Sequence, residues 1–92
     1  MSEKINPDDL FGDFIARVKT LTPTESAIFR HYVNGKSIKD VPPLMSISAH
    51  TLKHHNSHIY RKLCVVSKDE LALYIKLIKK SGLGERISMG GL

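Results

Sequence analysis

Apolar residues return along this chain at helical spacing, in blocks separated by turn chemistry, and no convincing strand pattern interrupts them. Leu10, Phe11, Phe14, Ile15 and Val18 form a one-sided stripe. Before them, Asn6-Pro7-Asp8-Asp9 reads as an N-cap, a proline at the first helical position, and acids on the positive end of the helix dipole. This first amphipathic helix needs something to cover it. Thr22-Pro23-Thr24-Glu25 repeats the start signal, with Glu25 placed three residues after Thr22 as a capping box requires. Ile28, Phe29, Tyr32 and Val33 then supply a buried face, and Asn34-Gly35 a stop.

A third element starts at Ser37 with Asp40 and runs at once into Pro42-Pro43. Proline lacks the amide hydrogen and its ring clashes with the carbonyl four residues back, so the helix is expected to be cut short or distorted at Pro42. Val41, Leu44 and Met45 are still expected to point inward. Ser48 caps the next helix, which reaches about Leu63. At about 100° per residue, Leu52, Ile59 and Leu63 share one side, bordered by His55 and Asn56. His50, Lys53, His54, Ser57 and Arg61 occupy the opposite side.

Ser67-Lys68-Asp69-Glu70 reads as another capping box, and its helix runs to about Lys80 with Gly82 as the stop. The apolar residues of this helix span roughly 200°, wider than the ~100° stripe a surface helix buries. Leu71, Ile75 and Ile78 can meet the core. Leu73 and Leu77 remain over and point to a second buried surface, the bland alternative being scattered surface leucines. The fold class expected is all-α, a small helical bundle, with residues 1–20 as an N-terminal linker helix, 21–80 as the main domain and 81–92 as a flexible tail.

Charge sharpens the picture. The 92-residue chain carries a net charge of +5, which favours an anionic partner, nucleic acid first. The charge is local: between Asp40 and Asp69 there is no carboxylate at all. That window contains the helix capped by Ser48, so its outward face is wholly polar or basic. Carboxylates beside phosphates would be repelled, whereas lysine and arginine displace counterions and serine, asparagine and histidine hydrogen-bond phosphate or base without fixed charge. Short helices joined by tight turns, with a capped basic helix third in the main run, match a helix-turn-helix.

The residues "LTPTE" at Leu21–Glu25, Gly35, "IS" at Ile47-Ser48, "TLKHH" at Thr51–His55, "IYRKL" at Ile59–Leu63 and "SKDEL" at Ser67–Leu71 occur in order over about half the chain. In this set the sequence resembles the LuxR-type (GerE-like) helix-turn-helix family of bacterial transcription regulators. The resemblance implies a four-helix DNA-binding core, here with an additional N-terminal amphipathic helix. It implies that the helix capped by Ser48 enters the major groove of double-stranded DNA, with Lys53, His54 and Ser57 at base-facing positions and Ser48 and His50, at its start, also among the DNA-binding residues. Thr51, His58 and Arg61 then fall at phosphate-contacting positions. Many relatives dimerise through the last helix, which gives Leu73 and Leu77 a partner in a weak homodimer. Relatives also join this module to an upstream receiver or ligand-binding sensor, so the chain is expected to be either a stand-alone regulator or the output domain of a longer one.

Four positions depart from the family pattern. Thr24 replaces a commonly basic residue. Cys64 stands where glycine is frequent, suggesting a turn without positive φ. His54 is an unusual base-facing residue that introduces pH sensitivity. Pro42-Pro43 replaces an alanine and a polar residue.

Other chemistries fare worse. His50, His54 and His58 recur at i, i+4 and i+8, but no carboxylate or cysteine in the helix completes a metal shell, so no metal or other cofactor is expected. There is no paired-carboxylate site, nucleophile–base signature or Gly-rich phosphate loop, which argues against an enzyme. The lone Cys64 cannot form an internal disulfide, which fits a reducing cytoplasm. No apolar run approaches the ~18–20 residues of a membrane span, so this segment is expected to make no membrane contact. Two roles stay open for Glu25: the capping box, or an ion pair with Lys62 or Arg61. The alternative to DNA binding is a protein-interaction module whose basic helix meets an acidic partner.

Overall fold

The computed structural model describes residues 7–80 and Gly82; the expected Asn6 cap, the Leu10 side chain and the tail from Leu83 lie outside the described residues. Helices α1 (Pro7–Val18), α2 (Pro23–Val33), α3 (Val41–Met45), α4 (Ala49–Leu63) and α5 (Lys68–Lys80) follow in order, with no strand among the described residues. The chain is all-α, as its periodicity predicts. Helix α1 lies against α4 and α5, α2 against α3, α4 and α5, and α3 against α4. One core unites them: Phe14 from α1, Ile28 and Phe29 from α2, Val41 from α3, Leu52, Ile59 and Leu63 from α4, and Ile78 from α5 are all but sealed from water.

The cover for α1 is aromatic. Phe14 stacks on Tyr74 of α5 with ring centroids 4.1 Å apart and planes nearly parallel, and sits 6.2 Å from Phe29 of α2 in a tilted contact. Such pairs contribute about 0.5–1.5 kcal/mol beyond the area they bury. Helix α2 starts as its sequence predicts: Thr22 Oγ1 accepts the Glu25 N–H (3.2 Å) and Glu25 Oε1 accepts the Thr22 N–H (2.9 Å). It ends at Gly35 (φ 88°), where Gly35 N–H donates to the Tyr32 carbonyl and Lys36 N–H to the His31 carbonyl. This is the paired bonding of a left-handed helix stop.

Three expectations about α3 and the end of α4 need correction. First, the break expected at Pro42 lies before it: the helix expected from Ser37 does not form over residues 38–40, and Pro42-Pro43 opens a helix rather than closing one. Residues 38–40 form a turn, bridged by Asp40 N–H to the Ser37 carbonyl at 3.0 Å, and α3 begins at Val41. The first amides of a helix have no intrahelical acceptor, so prolines there forfeit nothing. Asp40 Oδ2 closes the turn by accepting both the Ser37 N–H (2.9 Å) and the Ser37 hydroxyl (3.0 Å). Those bonds, the backbone one foremost, hold the Asp40 carboxyl below the usual range.

Second, Val41 is buried and Met45 packs on the core, but Leu44 is about half exposed (51%). Spacing i, i+3 and i+4 puts all three on one side of α3, and Leu44 lies at the edge of that arc, about 60° from Val41, where the core no longer covers it. Third, Cys64 does adopt a positive φ, 58°. Cys64 N–H donates to the Arg61 carbonyl and Val65 N–H to the Tyr60 carbonyl, the same pair of bonds seen at Gly35. The stop demands the left-handed region whatever residue occupies it, at roughly 1–2 kcal/mol for one with a Cβ.

Candidate nucleic-acid interface

Helix α3, the turn through Ser46 and Ile47, and helix α4 form the helix-turn-helix. Ser46 sits in the left-handed region (φ 56°) and ends α3, its N–H donating to the Pro42 carbonyl. Ser48 is extended (φ −78°, ψ 161°), and its Oγ accepts the Thr51 N–H at 3.0 Å, which starts α4. The Ser48 hydroxyl proton goes to Thr51 Oγ1 (3.0 Å). Ser48 is therefore engaged in building the helix end, while Thr51 retains a hydroxyl proton to donate outward.

Three kinds of anchor hold α4 in one rotation. Leu52, Ile59 and Leu63 sink into the core. The Tyr32 hydroxyl of α2 donates to Asn56 Oδ1 at 2.7 Å. Burial, only partly opposed by that hydrogen bond, pushes the Tyr32 hydroxyl up to about 12, so it remains a donor at any physiological pH. Lys62 Nζ lies 2.7 Å from Glu25 Oε1, and the Glu25 side chain is 6% exposed. Both roles open for Glu25 are thus filled by one carboxylate, which caps α2 and ties it to α4. Burial pushes the Glu25 carboxyl up, but Lys62 and the Thr22 bonds outweigh it and hold the group below its usual range.

What these anchors leave outward is the basic face. His50, Thr51, Lys53, His54, Ser57 and Arg61 are exposed, while His55 and Asn56 are half-buried at its border. His58 is also half-buried, on the flank, with its ring centroid 5.0 Å from that of His54. Among the described residues there is no group of three or more His, Cys, Asp or Glu side chains that could hold a metal ion. On α5, Leu73 (63% exposed) and Leu77 (47%) project from the side away from the core.

Sequence reasoning placed Tyr32 in the apolar stripe and Asn56 at a border without joining them. A signal existed, since a tyrosine inside a buried stripe needs a hydroxyl partner. The stacking of Phe14 on Tyr74 had no such signal, because it depends on how α1 and α5 approach.

No helix among the described residues is long and apolar enough to cross a membrane. Residues 19–75 match the family model for bacterial regulatory proteins of the luxR family, which includes the whole of α2, α3 and α4 and the first turns of α5. No curated protein and no solved structure matches the chain.

Proposed function

Because the chain belongs to the luxR family of bacterial regulatory proteins, a family of DNA-binding transcription regulators, we propose that it binds double-stranded DNA sequence-specifically with α4 in the major groove. The observation that carries this reading is the outward face of α4: capped, fixed in rotation by two polar ties, and without a carboxylate. A helix held in this way can bring side chains to base edges at constant depth.

Lys53, His54 and Ser57 near the middle of that face read bases. Thr51, His58 and Arg61 take phosphates, with Ser48 and His50 at the helix start, where the free amides of a helix N-terminus also favour an anion. Leu73 and Leu77 meet a second copy of the chain, so that two recognition helices engage two half-sites. Residues 1–20 serve as an N-terminal linker to the 21–80 module, residues 81–92 as a tail, and the protein works in the cytoplasm. In a longer chain, a sensor or receiver would precede α1.

The test is selection of bound duplexes from a random pool, followed by titration at several salt concentrations. A recurrent motif and a log K that falls linearly with log salt support the proposal. Binding that enriches no motif reduces it to generic polyanion attraction, which leaves the acidic-partner reading of the basic helix.

A further inference from the structure

A groove of about 510 Å³ runs between the turn after α2 and one face of α5. Its floor is apolar and aromatic: Tyr32 and Leu71 are buried, Tyr60 and Ile75 half-buried. Ile38, 43% exposed, stands on the turn side. Lysines edge it on both sides, Lys36 and Lys39 from the turn, Lys68 and Lys79 from α5, and no carboxylate lines it. Asp40 lies near Lys36 and Lys39 and offsets part of their charge, but its Oδ2 is committed to Ser37.

We propose that this groove docks an acidic amphipathic helix of a partner protein, apolar side chains on the floor and carboxylates on the lysine edges. Charge complementarity sets the sign of the occupant, because four exposed ammonium groups around an apolar strip repel a cationic one and gain nothing from a plain hydrophobic one. Shape sets its class. Lys68 and Lys79 are three turns apart on α5, about 16 Å at helical rise, so the groove is long and open along its length, which suits a helix laid in it. DNA has no use for an apolar floor.

The groove is also separate from the other two surfaces. On α5, Leu73 and Leu77 lie roughly 120° and 160° around the axis from the middle of the face that carries Lys68, Ala72 and Lys79. A partner seated here leaves the proposed dimer face open and sits beside, not on, the outward face of α4. The proposal does not depend on DNA binding.

The experiment titrates the whole chain, labelled with nitrogen-15, with a synthetic helix of about 14 residues carrying leucines at i, i+4 and i+7 and flanking glutamates. Amide shifts confined to residues 35–39, Tyr60 and the groove face of α5 are expected. Affinity should fall at least about tenfold in Lys36→Glu/Lys79→Glu and in Ile38→Asp, all exposed sites whose change leaves the core intact. Equal binding of a scrambled peptide with the same charge overturns the proposal. So does a shift map centred on Lys53 and Arg61, or no shift at all. If Lys36→Glu/Lys79→Glu weakens binding to a DNA duplex as much as Arg61→Ala, the edge is a nucleic-acid track and the proposal fails. Preferential binding to vesicles of anionic lipid, with none to the peptide, likewise overturns it.

Discussion

Helices α4 and α5 are built alike on the inside and differently on the outside. Each buries an apolar stripe, Leu52, Ile59 and Leu63 in one, Leu71 and Ile78 in the other, and each starts with a serine cap. Outward, α4 shows lysine, arginine, histidine and serine, whereas α5 shows Leu73 and Leu77 among its charged residues. Burial alone accounts for the inner halves. The outer halves are free to vary at little folding cost, and their opposite chemistry suits the two proposed contacts: a hydrated polyanion on α4, an apolar surface on α5.

The largest effect is expected when α5 is given the exterior of α4. Leu73→Lys with Leu77→Lys is expected to leave the monomer folded, remove any dimer in sedimentation, and weaken binding to a two-half-site duplex by about 10²–10⁴-fold through lost effective concentration. Unchanged sedimentation would remove the two leucines from the interface.

The next largest effect concerns the polar ties that hold α4. Lys62→Met leaves the Glu25 carboxylate buried beside an apolar side chain, and should cost about 1–3 kcal/mol in urea unfolding. Tyr32→Phe, which strips Asn56 of its donor, should cost about 1 kcal/mol and reduce DNA affinity through a less constrained α4.

The Glu25 tie also gives a pH dependence. Its folded-state value lies below the unfolded one. Its stabilisation is therefore present above the ordinary carboxylate range, about 4.3, and lost as pH falls through the folded-state value. Unfolding midpoints of the parent should drop on acidification by more than those of Glu25→Gln. Equal drops in both would show that Glu25 is not held low.

The smallest effect is at the end of α4. Cys64→Gly relieves the left-handed strain while adding freedom to the unfolded chain, for a net gain of about 0.5–1 kcal/mol. A loss of stability would mean that the exposed cysteine side chain holds something in place.

What was legible in the sequence follows from the range of the forces involved. The caps at Thr22 and Ser48 and the stop at Gly35 are written within a few residues, and each appears where its chemistry puts it. In α5, Ser67 Oγ accepts the Glu70 N–H (3.2 Å), but the Glu70 carboxylate reaches the Val66 N–H (2.8 Å) instead of closing the box on Ser67. The two faces of α4 are legible because one period sorts them.

Pro42-Pro43 misled because a proline pair both ends one helix and opens another. The choice rests on the Ser37–Asp40 turn before it. Cys64 misled because its left-handed backbone is imposed by the stop and not by the residue itself. Tyr32 with Asn56 and Phe14 with Tyr74 are separated along the chain and joined only by packing.

On the proposed reading, the outward face of α4 reads DNA, with Lys53 on bases and Arg61 on phosphate. These roles are tested most directly by measuring affinity against salt for Lys53→Ala and Arg61→Ala, each on the selected duplex and on a scrambled one. Lys53→Ala should lose about 1–3 kcal/mol on the selected duplex and little on the scrambled one, whereas Arg61→Ala should weaken both alike and flatten the salt slope by about one contact. Binding by both variants indistinguishable from the parent on either duplex would show that this face does not read DNA.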